Sequence, residues 1–168
     1  MNALSKAIQC VAMRPCQADD ESFLFKVYAS TREDEMALVA WTQQQKEAFL
    51  QMQFNAQHHF YVANYPGAQF LVILLDDQSI GRLYIYRNMN AILIIDIALL
   101  PEYRNAGIGT SLIRDLQEDA RKSGLLIRLH VEPFNPAISL YKKLGFIKTS
   151  EISFYHEMTW QPEVVNHV

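Results

Sequence analysis

Residues 101–110, PEYRNAGIGT, gather Arg104, Gly107, Gly109 and Thr110 in a loop between an apolar strand and an amphipathic helix. Glycines there allow positive φ and let backbone N–H groups approach an anion closely, while the helix N-terminus supplies partial positive charge. With a guanidinium and a hydroxyl beside them, these groups suit a pyrophosphate. The same residues also suit a tight strand-to-helix turn with no ligand. A P-loop is excluded, because Gly-x-x-x-x-Gly-Lys-[Ser/Thr] is absent. A Rossmann fingerprint fails as well: Leu112 stands where the third glycine belongs, and residues 101–106 separate the strand from the first glycine. Other constellations are weak. His58 and His59 are neighbours on a helical segment and point about 100° apart, so they are poor joint metal ligands. Cys10 and Cys16 show no metal spacing with histidine, and Ser139 has no nucleophile elbow, so neither a metal site nor a serine hydrolase is expected.

A strand and a helix must flank such a loop, and both are legible. Residues 91–100 form a near-continuous apolar run interrupted by Asp96, which predicts a strand buried on both faces. The helix 107–122 turns Ile108, Leu112, Ile113 and Leu116 inward and stops at Gly124. Upstream, residues 10–15 read as a first strand, and the acids of 18–21 open a helix with Phe23, Val27 and Tyr28 as its apolar stripe. The charged run 32–35 then reads as a solvated surface turn. A second helix, 42–63, is capped by Thr42; its spacing makes Phe49, Met52, Ala56, Phe60 and Ala63 the expected core face. Residues 69–75 and 80–86 form a hairpin around a turn at 76–79, with Arg82, Tyr84 and Tyr86 on a polar or aromatic face. A strand at 125–131 leads to a helix at 136–144, with Asn135 as N-cap, Pro136 at N1 and Gly145 as its stop. Strands at 146–149 and 153–159 close the order β-α-α-β-β-β-α-β-α-β-β, an α/β (α+β) fold with helices on a mixed sheet.

The 168 residues suit one domain, taken as 10–160 with a tail at 161–168, and half of them are apolar, which excludes disorder. Two cysteines exclude a disulfide scaffold, and the net charge of -3 argues against a dedicated nucleic-acid binder. No apolar run approaches the ~20 residues of a membrane span, and the N-terminus lacks an apolar signal core. The expectation is a soluble, cytoplasmic protein with reduced thiols and no nucleic-acid or membrane partner.

The chain resembles the GNAT superfamily of N-acetyltransferases. Arg104-x-x-Gly107-x-Gly109 is similar to its Arg/Gln-x-x-Gly-x-Gly/Ala pyrophosphate loop, with Asn105 where glycine is usual. Downstream, HVEPFNPAISLYKKLGF at 130–146 is similar to the family's Asn-x-x-Ala-x-x-Leu-Tyr-x-x-x-Gly-Phe segment. The resemblance covers roughly the span from Cys10 to Trp160. It implies a mixed, mostly antiparallel sheet of about six or seven strands with about four helices on both faces. It also implies acetyl-CoA as donor and an amine as acceptor. The main chain of Ile97, Ala98 and Leu99 would pair with the pantetheine arm. The amides of Asn105, Ala106, Gly107, Ile108, Gly109 and Thr110 would cradle the diphosphate beside Arg104, and Asn135 would contact the arm. The N–H of Leu99 would polarise the thioester carbonyl.

Acyl transfer to an amine needs two proton movements. Tyr141 matches the family's general acid, a phenol of reference pKa about 10; its other reading is a core residue of a short helix. Asp96 is the first candidate base. It shares a face with Ile94 and Ala98 if no bulge intervenes, and a lone acid there is costly unless functional or paired, for instance with Arg82 or Tyr84. Glu132 is the second candidate; His130 acts through water or is structural. Between the first two helices, Glu33 and Glu35 would attract an amine, and Trp41, Arg82, Tyr84 and Tyr86 would wall the acceptor site. A non-catalytic acyl-CoA-binding or regulatory module is the competing function, because a pure binder needs only the loop. The acceptor's identity and homodimerisation stay open.

Overall fold

A computed structural model describes residues 11–163, so Cys10 and residues 164–168 of the expected tail lie outside the described residues. The described chain runs β1 (Val11–Pro15), α1 (Glu21–Ser30), α2 (Glu33–Ala37), α3 (Gln43–Asn64), β2 (Gln69–Leu75), β3 (Gln78–Arg87), β4 (Ala91–Leu99), α4 (Ile108–Ser123), β5 (Leu126–Val131), α5 (Ala137–Lys143), β6 (Ile147–Ile152) and β7 (Tyr155–Trp160). Single 3-10 turns precede α1, at Ala18–Asp20, and follow β4, at Pro101–Tyr103. The seven strands form one sheet in the order β1-β2-β3-β4-β5-β7-β6. Every neighbouring pair is antiparallel except β4 and β5. No helix of the described residues is long and apolar enough to cross a membrane.

Each face of the sheet carries its own core. On one face, Ile108, Leu112, Ile113 and Leu116 of α4 and Tyr141 of α5 pack on Ile92, Ile94, Ile127 and Leu129. A fully buried aliphatic side chain there contributes about 1.5–3 kcal/mol. Gly107 and Gly124, with φ of 84° and 67°, bracket α4 in the left-handed region where glycine carries no Cβ penalty. The opposite face buries Leu24 and Tyr28 of α1 and Leu50 and Phe54 of α3 against Val72 and Tyr84. Thr42 caps α3 in a capping box: its hydroxyl accepts from the Gln45 N–H at 3.2 Å while the Gln45 side chain accepts from the Thr42 N–H at 2.9 Å.

Several expectations are corrected. The run at 32–35 enters a short helix, α2, with three acids in its first turn where the dipole favours them, and none of its residues is buried. α3 buries Leu50 and Phe54, so the expected stripe of Phe49, Met52, Ala56, Phe60 and Ala63 turns outward, with Met52 60% and Phe60 55% exposed. The polar face of β3 is covered rather than open: Arg82 and Tyr84 are both 2% exposed beneath α1 and α3. α5 begins at Ala137, after Asn135 and Pro136, although the Asn135 side chain still accepts from the Ala137 N–H at 2.9 Å.

The largest departure from a regular sheet lies between β4 and β5. They pair only from Ala91↔Leu126 to Ile94↔Leu129, and β4 then continues to Leu99 against β3 alone. Its second half is therefore half-buried, not buried on both faces. The ladder also shifts register at Ile95, pairing Tyr84 with Asp96 but Ile85 with Ile94. One extra residue flips the alternation. Ile94 faces the α4 core, and Asp96 points with Ala98 to the side of Arg82, so Asp96 and Ile94 do not share a face.

Candidate active site

The split opens directly above the glycine loop. Leu100 ends β4 by donating its N–H to the Ile80 carbonyl at 2.9 Å, and one 3-10 turn carries the chain to Arg104. Asn105, at φ 59°, and Gly107 then adopt left-handed backbone, which swings the chain into α4. Asparagine tolerates that conformation at little cost. α4 has no side-chain cap, so its first N–H groups are left without intrahelical acceptors. A Cβ on Gly109 would meet nothing within 4 Å. Uncapped amides, a helix dipole and open space beside glycine fit a diphosphate.

Arg104 does not aim at that cradle. Its Nε donates to the Leu99 carbonyl at 2.8 Å and its Nη2 to the Ser30 hydroxyl at 3.0 Å and carbonyl at 3.3 Å. The guanidinium thus braces the loop against the end of β4 and the negative C-terminal end of α1. Gly81 holds the same segment from the other side. A Cβ there would lie 2.4 Å from the Ala98 carbonyl oxygen and 2.8 Å from a Leu99 methyl, so only glycine lets β3 approach this part of β4.

Tyr141 reaches the split from the α4 side. Its ring packs on Phe146, with centroids 5.9 Å apart. The Phe146 N–H donates to the Tyr141 carbonyl at 3.0 Å across Gly145, whose φ is 88°. The buried Gln117 of α4 donates to the Leu144 carbonyl at 2.7 Å, fixing the end of α5. Burial, and then the negative charge of Asp96, push the Tyr141 phenol up to about 12. It therefore keeps its proton at neutral pH and can serve as an acid. Asn135 is tied to its own helix start, and it precedes Ala137 by two residues where the family segment has three.

On the other side of the split lies a buried polar cluster. Arg82 donates through Nη2 to the Asp96 carboxylate and, at 3.0 Å, to Gln57 of α3. Its guanidinium sits over the rings of Tyr84 and Tyr28, at 5.0 and 5.8 Å. A charge so deeply buried is tolerated only when paired and hydrogen-bonded. Burial pushes the Tyr84 phenol up to about 12, against the opposing pull of Arg82, and raises Tyr61 as well with the Asp96 charge adding to it.

Arg32, beyond the C-terminus of α1, pairs with Glu35 at 3.1 Å and with Glu132 at the end of β5 at 3.6 Å, and it covers the Tyr28 ring at 5.6 Å. That clasp joins Glu35 and Glu132 across the mouth of the cluster. Glu33 instead lines a cleft of about 550 Å³ between α1, α3 and the turn after β4, with Ser30, Met36, Leu50, Leu100 and Glu102. Trp41 is not drawn in; it meets Phe49 of α3 edge-to-face, with ring centroids 5.2 Å apart. His130 faces away from the α4 core and pairs with Glu157 at 3.3 Å.

The sequence matches the Acetyltransferase (GNAT) family over residues 26–146. The chain belongs to the GNAT acetyltransferase family. It is similar to the putative ribosomal protein bS18-alanine N-acetyltransferase of Bacillus subtilis, at 38% identity over 48% of this chain and 54% of the relative. The match spans about half of that protein's length. An N-alpha-acetyltransferase of Saccharolobus solfataricus is 26% identical over 61% of this chain and 71% of its own length. The fold is shared with the PaiA N-acetyltransferase of Thermoplasma acidophilum in complex with coenzyme A: TM-score 0.68, 20% identity, 90% of this chain and 99% of that one. A GNAT acetyltransferase of Elizabethkingia anophelis with acetyl-CoA bound superposes with TM-score 0.59 at 15% identity, over 91% and 99% of the chains.

Around this candidate site, sequence reasoning does not single out Gln57, Tyr61, Gly81 or Arg32 for the contacts they make. Gly81 had a signal, since glycine within a strand often marks a close backbone approach. Gln57 and Tyr61 had one too: with Leu50 and Phe54 they form a second stripe at spacings of three and four on α3. Arg32 had none, because its partner Glu132 lies far along the chain.

Proposed function

We propose that the protein transfers the acetyl group of acetyl-CoA to the α-amine of a peptide or protein N-terminus. The amine nitrogen bonds to the thioester carbonyl carbon, the carbon–sulfur bond breaks, and the coenzyme leaves as a thiolate. The amides of 105–110 hold the diphosphate, the main chain of Ile97, Ala98 and Leu99 pairs with the pantetheine arm, and the Leu99 N–H polarises the carbonyl. Asn135 contacts that arm through its remaining amide hydrogens. Tyr141 gives its proton to the departing sulfur. Asp96 orients the acceptor ammonium; the proton that frees the amine leaves to Glu132 or to water, and the second, lost from nitrogen once the carbon–nitrogen bond has formed, restores the phenol of Tyr141.

The observation that carries the choice of amine is the Arg82–Asp96 pair. The carboxylate beside the split is committed to a buried guanidinium, so deprotonation rests largely on the acceptor's own acidity. An α-amine of pKa about 7.7–8.0 is roughly 10% free base at pH 7, whereas a lysine amine of pKa about 10.4 is about 0.04% free base. The names of two relatives, a putative ribosomal protein bS18-alanine N-acetyltransferase of Bacillus and an N-alpha-acetyltransferase of Saccharolobus, support the same class.

Free-thiol release from acetyl-CoA tests this, using peptides with an open N-terminus against Nα-blocked peptides carrying one lysine. The α-amine should lead by at least 100-fold in kcat/KM at pH 7. Equal rates would overturn the α-amine assignment. Acetyl-CoA binding with no release for any amine would instead support the binding-module reading.

A further inference from the structure

One side chain ties the end of β4 to the end of α1. The Leu100 N–H donates to the Ile80 carbonyl and Gly81 stands opposite Leu99, so Gly81 and Leu99 form a non-hydrogen-bonded pair of the β3–β4 ladder. The N–H and carbonyl of Leu99 therefore point away from β3, to the side that β5 leaves after Ile94. Arg104 takes that carbonyl through Nε at 2.8 Å. Its Nη2 donates at 3.0 and 3.3 Å to the hydroxyl and carbonyl of Ser30, the last residue of α1. Ser30 is 7% exposed, and its hydroxyl passes the contact on by donating to the Val27 carbonyl at 2.7 Å. All three acceptors of Arg104 are uncharged, so the guanidinium serves here by its planar fork rather than by its charge.

We propose that Arg104 is a positioning residue for acyl transfer, setting the donor-bearing end of β4 against the acceptor-bearing end of α1, a role that rests on the acetyl transfer proposed above. On the donor side, Leu99 is fixed twice. Gly81 holds it from β3, where a Cβ would collide with the Ala98 carbonyl and a Leu99 methyl, and Arg104 holds it from the split. On the acceptor side, the guanidinium answers the Ser30 carbonyl, one of those left over at a helix C-terminus. Two residues on, Arg32 covers the Tyr28 ring and reaches Glu132 at 3.6 Å. Tyr28 in turn carries Arg82, the partner of Asp96, at 5.8 Å. A shift of Arg104 thus moves the strand of the thioester and the cluster of the amine relative to each other. Transfer needs the reacting atoms about 3–3.5 Å apart and aligned. Because the guanidinium does not aim at the diphosphate cradle, its loss costs alignment rather than donor affinity.

Arg104→Met, Arg104→Lys and Ser30→Ala test this. Kinetics use whichever amine the unaltered chain acetylates fastest, and isothermal titration gives the acetyl-CoA Kd. Arg104→Met should lower kcat on the order of 100-fold, the cost of a misplacement of about 1 Å, while the acetyl-CoA Kd stays within about 3-fold. Arg104→Lys should fall nearly as far, because one ammonium cannot span acceptors on two elements. Ser30→Ala keeps the Leu99 bond and should lower kcat by a smaller factor. Amide hydrogen exchange needs no acceptor, so it decides the brace apart from the identity of the amine. In Arg104→Met, protection should drop together at Leu100 and at Thr31 and Arg32, whose N–H groups bond to Ile80, Tyr28 and Ala29. In Ser30→Ala it should drop at Thr31 and Arg32 alone. An acetyl-CoA Kd at least about 10-fold weaker in Arg104→Met, recovered in Arg104→Lys, would make Arg104 a diphosphate ligand and overturn the proposal. An unchanged kcat, or lost protection confined to one end, overturns it as well. Should Arg104→Met unfold, Ser30→Ala decides: unchanged kcat with unchanged protection at Thr31 and Arg32 overturns the proposal.

Discussion

The two sides of the β4–β5 split are built in different ways. The α4 side presents backbone: uncapped amides after Gly107, a left-handed Asn105 and one phenol held over an apolar core. The α1–α3 side presents side chains, in a buried cluster drawn from α1, α3, β3 and β4 and centred on Arg82. Backbone geometry is local and survives many substitutions. A buried ion pair depends on four elements at once, and the loss of one member strands the others.

Arg82→Met should have the largest effect. It leaves Asp96 without its cation beneath α1 and α3, a loss of about 3–5 kcal/mol in unfolding free energy. Adding Asp96→Leu should recover much of it, since an apolar pair needs no counter-charge. Urea unfolding of the single and double variants reads both. A single variant as stable as the unaltered chain would mean that the acceptor side does not hang on this pair.

Gly107→Leu breaks the other side. At φ 84° a leucine is strained by roughly 1–2 kcal/mol, and its side chain crowds the amides proposed to hold the diphosphate. The fold should persist, while the stabilisation of about 2.7 kcal/mol that acetyl-CoA gives at 100 times its Kd should vanish. Thermal melts with and without ligand measure this. An unchanged ligand shift would remove the loop from the donor site.

The same division explains what the sequence showed. Thr42, Gly107 and Gly124 are legible because a cap or a left-handed residue acts within one turn of its own position. The α4 stripe was readable because 3.6-residue periodicity has a single solution there. α3 offers two stripes, and spacing alone does not say which meets the sheet. The face of Arg82 and Tyr84 read as polar and aromatic, and only α1 and α3 packed over it make it a core. Asp96 depended on one bulge residue, Ile95, which inverts the face of every later side chain in β4. The two family segments located the loop and Tyr141, but they carry nothing on the Arg32–Glu132 clasp.

Tyr141→Phe sharpens the comparison at the point where the two sides meet. Loss of the hydroxyl should lower kcat about 100-fold, the lower end for a general acid, with acetyl-CoA affinity nearly unchanged. Because the phenol sits at about 12, its deprotonation should put no falling limb on the rate below pH 10. Such a limb, absent from the Tyr141→Phe profile, would show a more acidic phenol than burial allows. An unchanged kcat would assign the ring to packing alone.

The smallest effect belongs to Asp20, which anchors the start of α1 on the α1–α3 side. The Arg14 guanidinium holds its carboxylate at 2.7 and 2.8 Å, and the Gln17 N–H donates to it at 2.7 Å. Together, Arg14 first, they lower its pKa from 3.8 to about 2. A depressed carboxylate adds stability that is complete above its unfolded pKa and disappears as pH falls through the folded one. Asp20 thus contributes fully above pH 4 and loses its contribution between about pH 4 and pH 2. Asp20→Asn should cost about 0.5–1.5 kcal/mol at pH 7, the net worth of such hydrogen bonds, and only a small fraction of that at pH 2. Stability curves of the two proteins should converge across that window. Curves that stay parallel down to pH 2 would show that α1 is anchored by its apolar face on Val72 and Tyr84, not by this carboxylate.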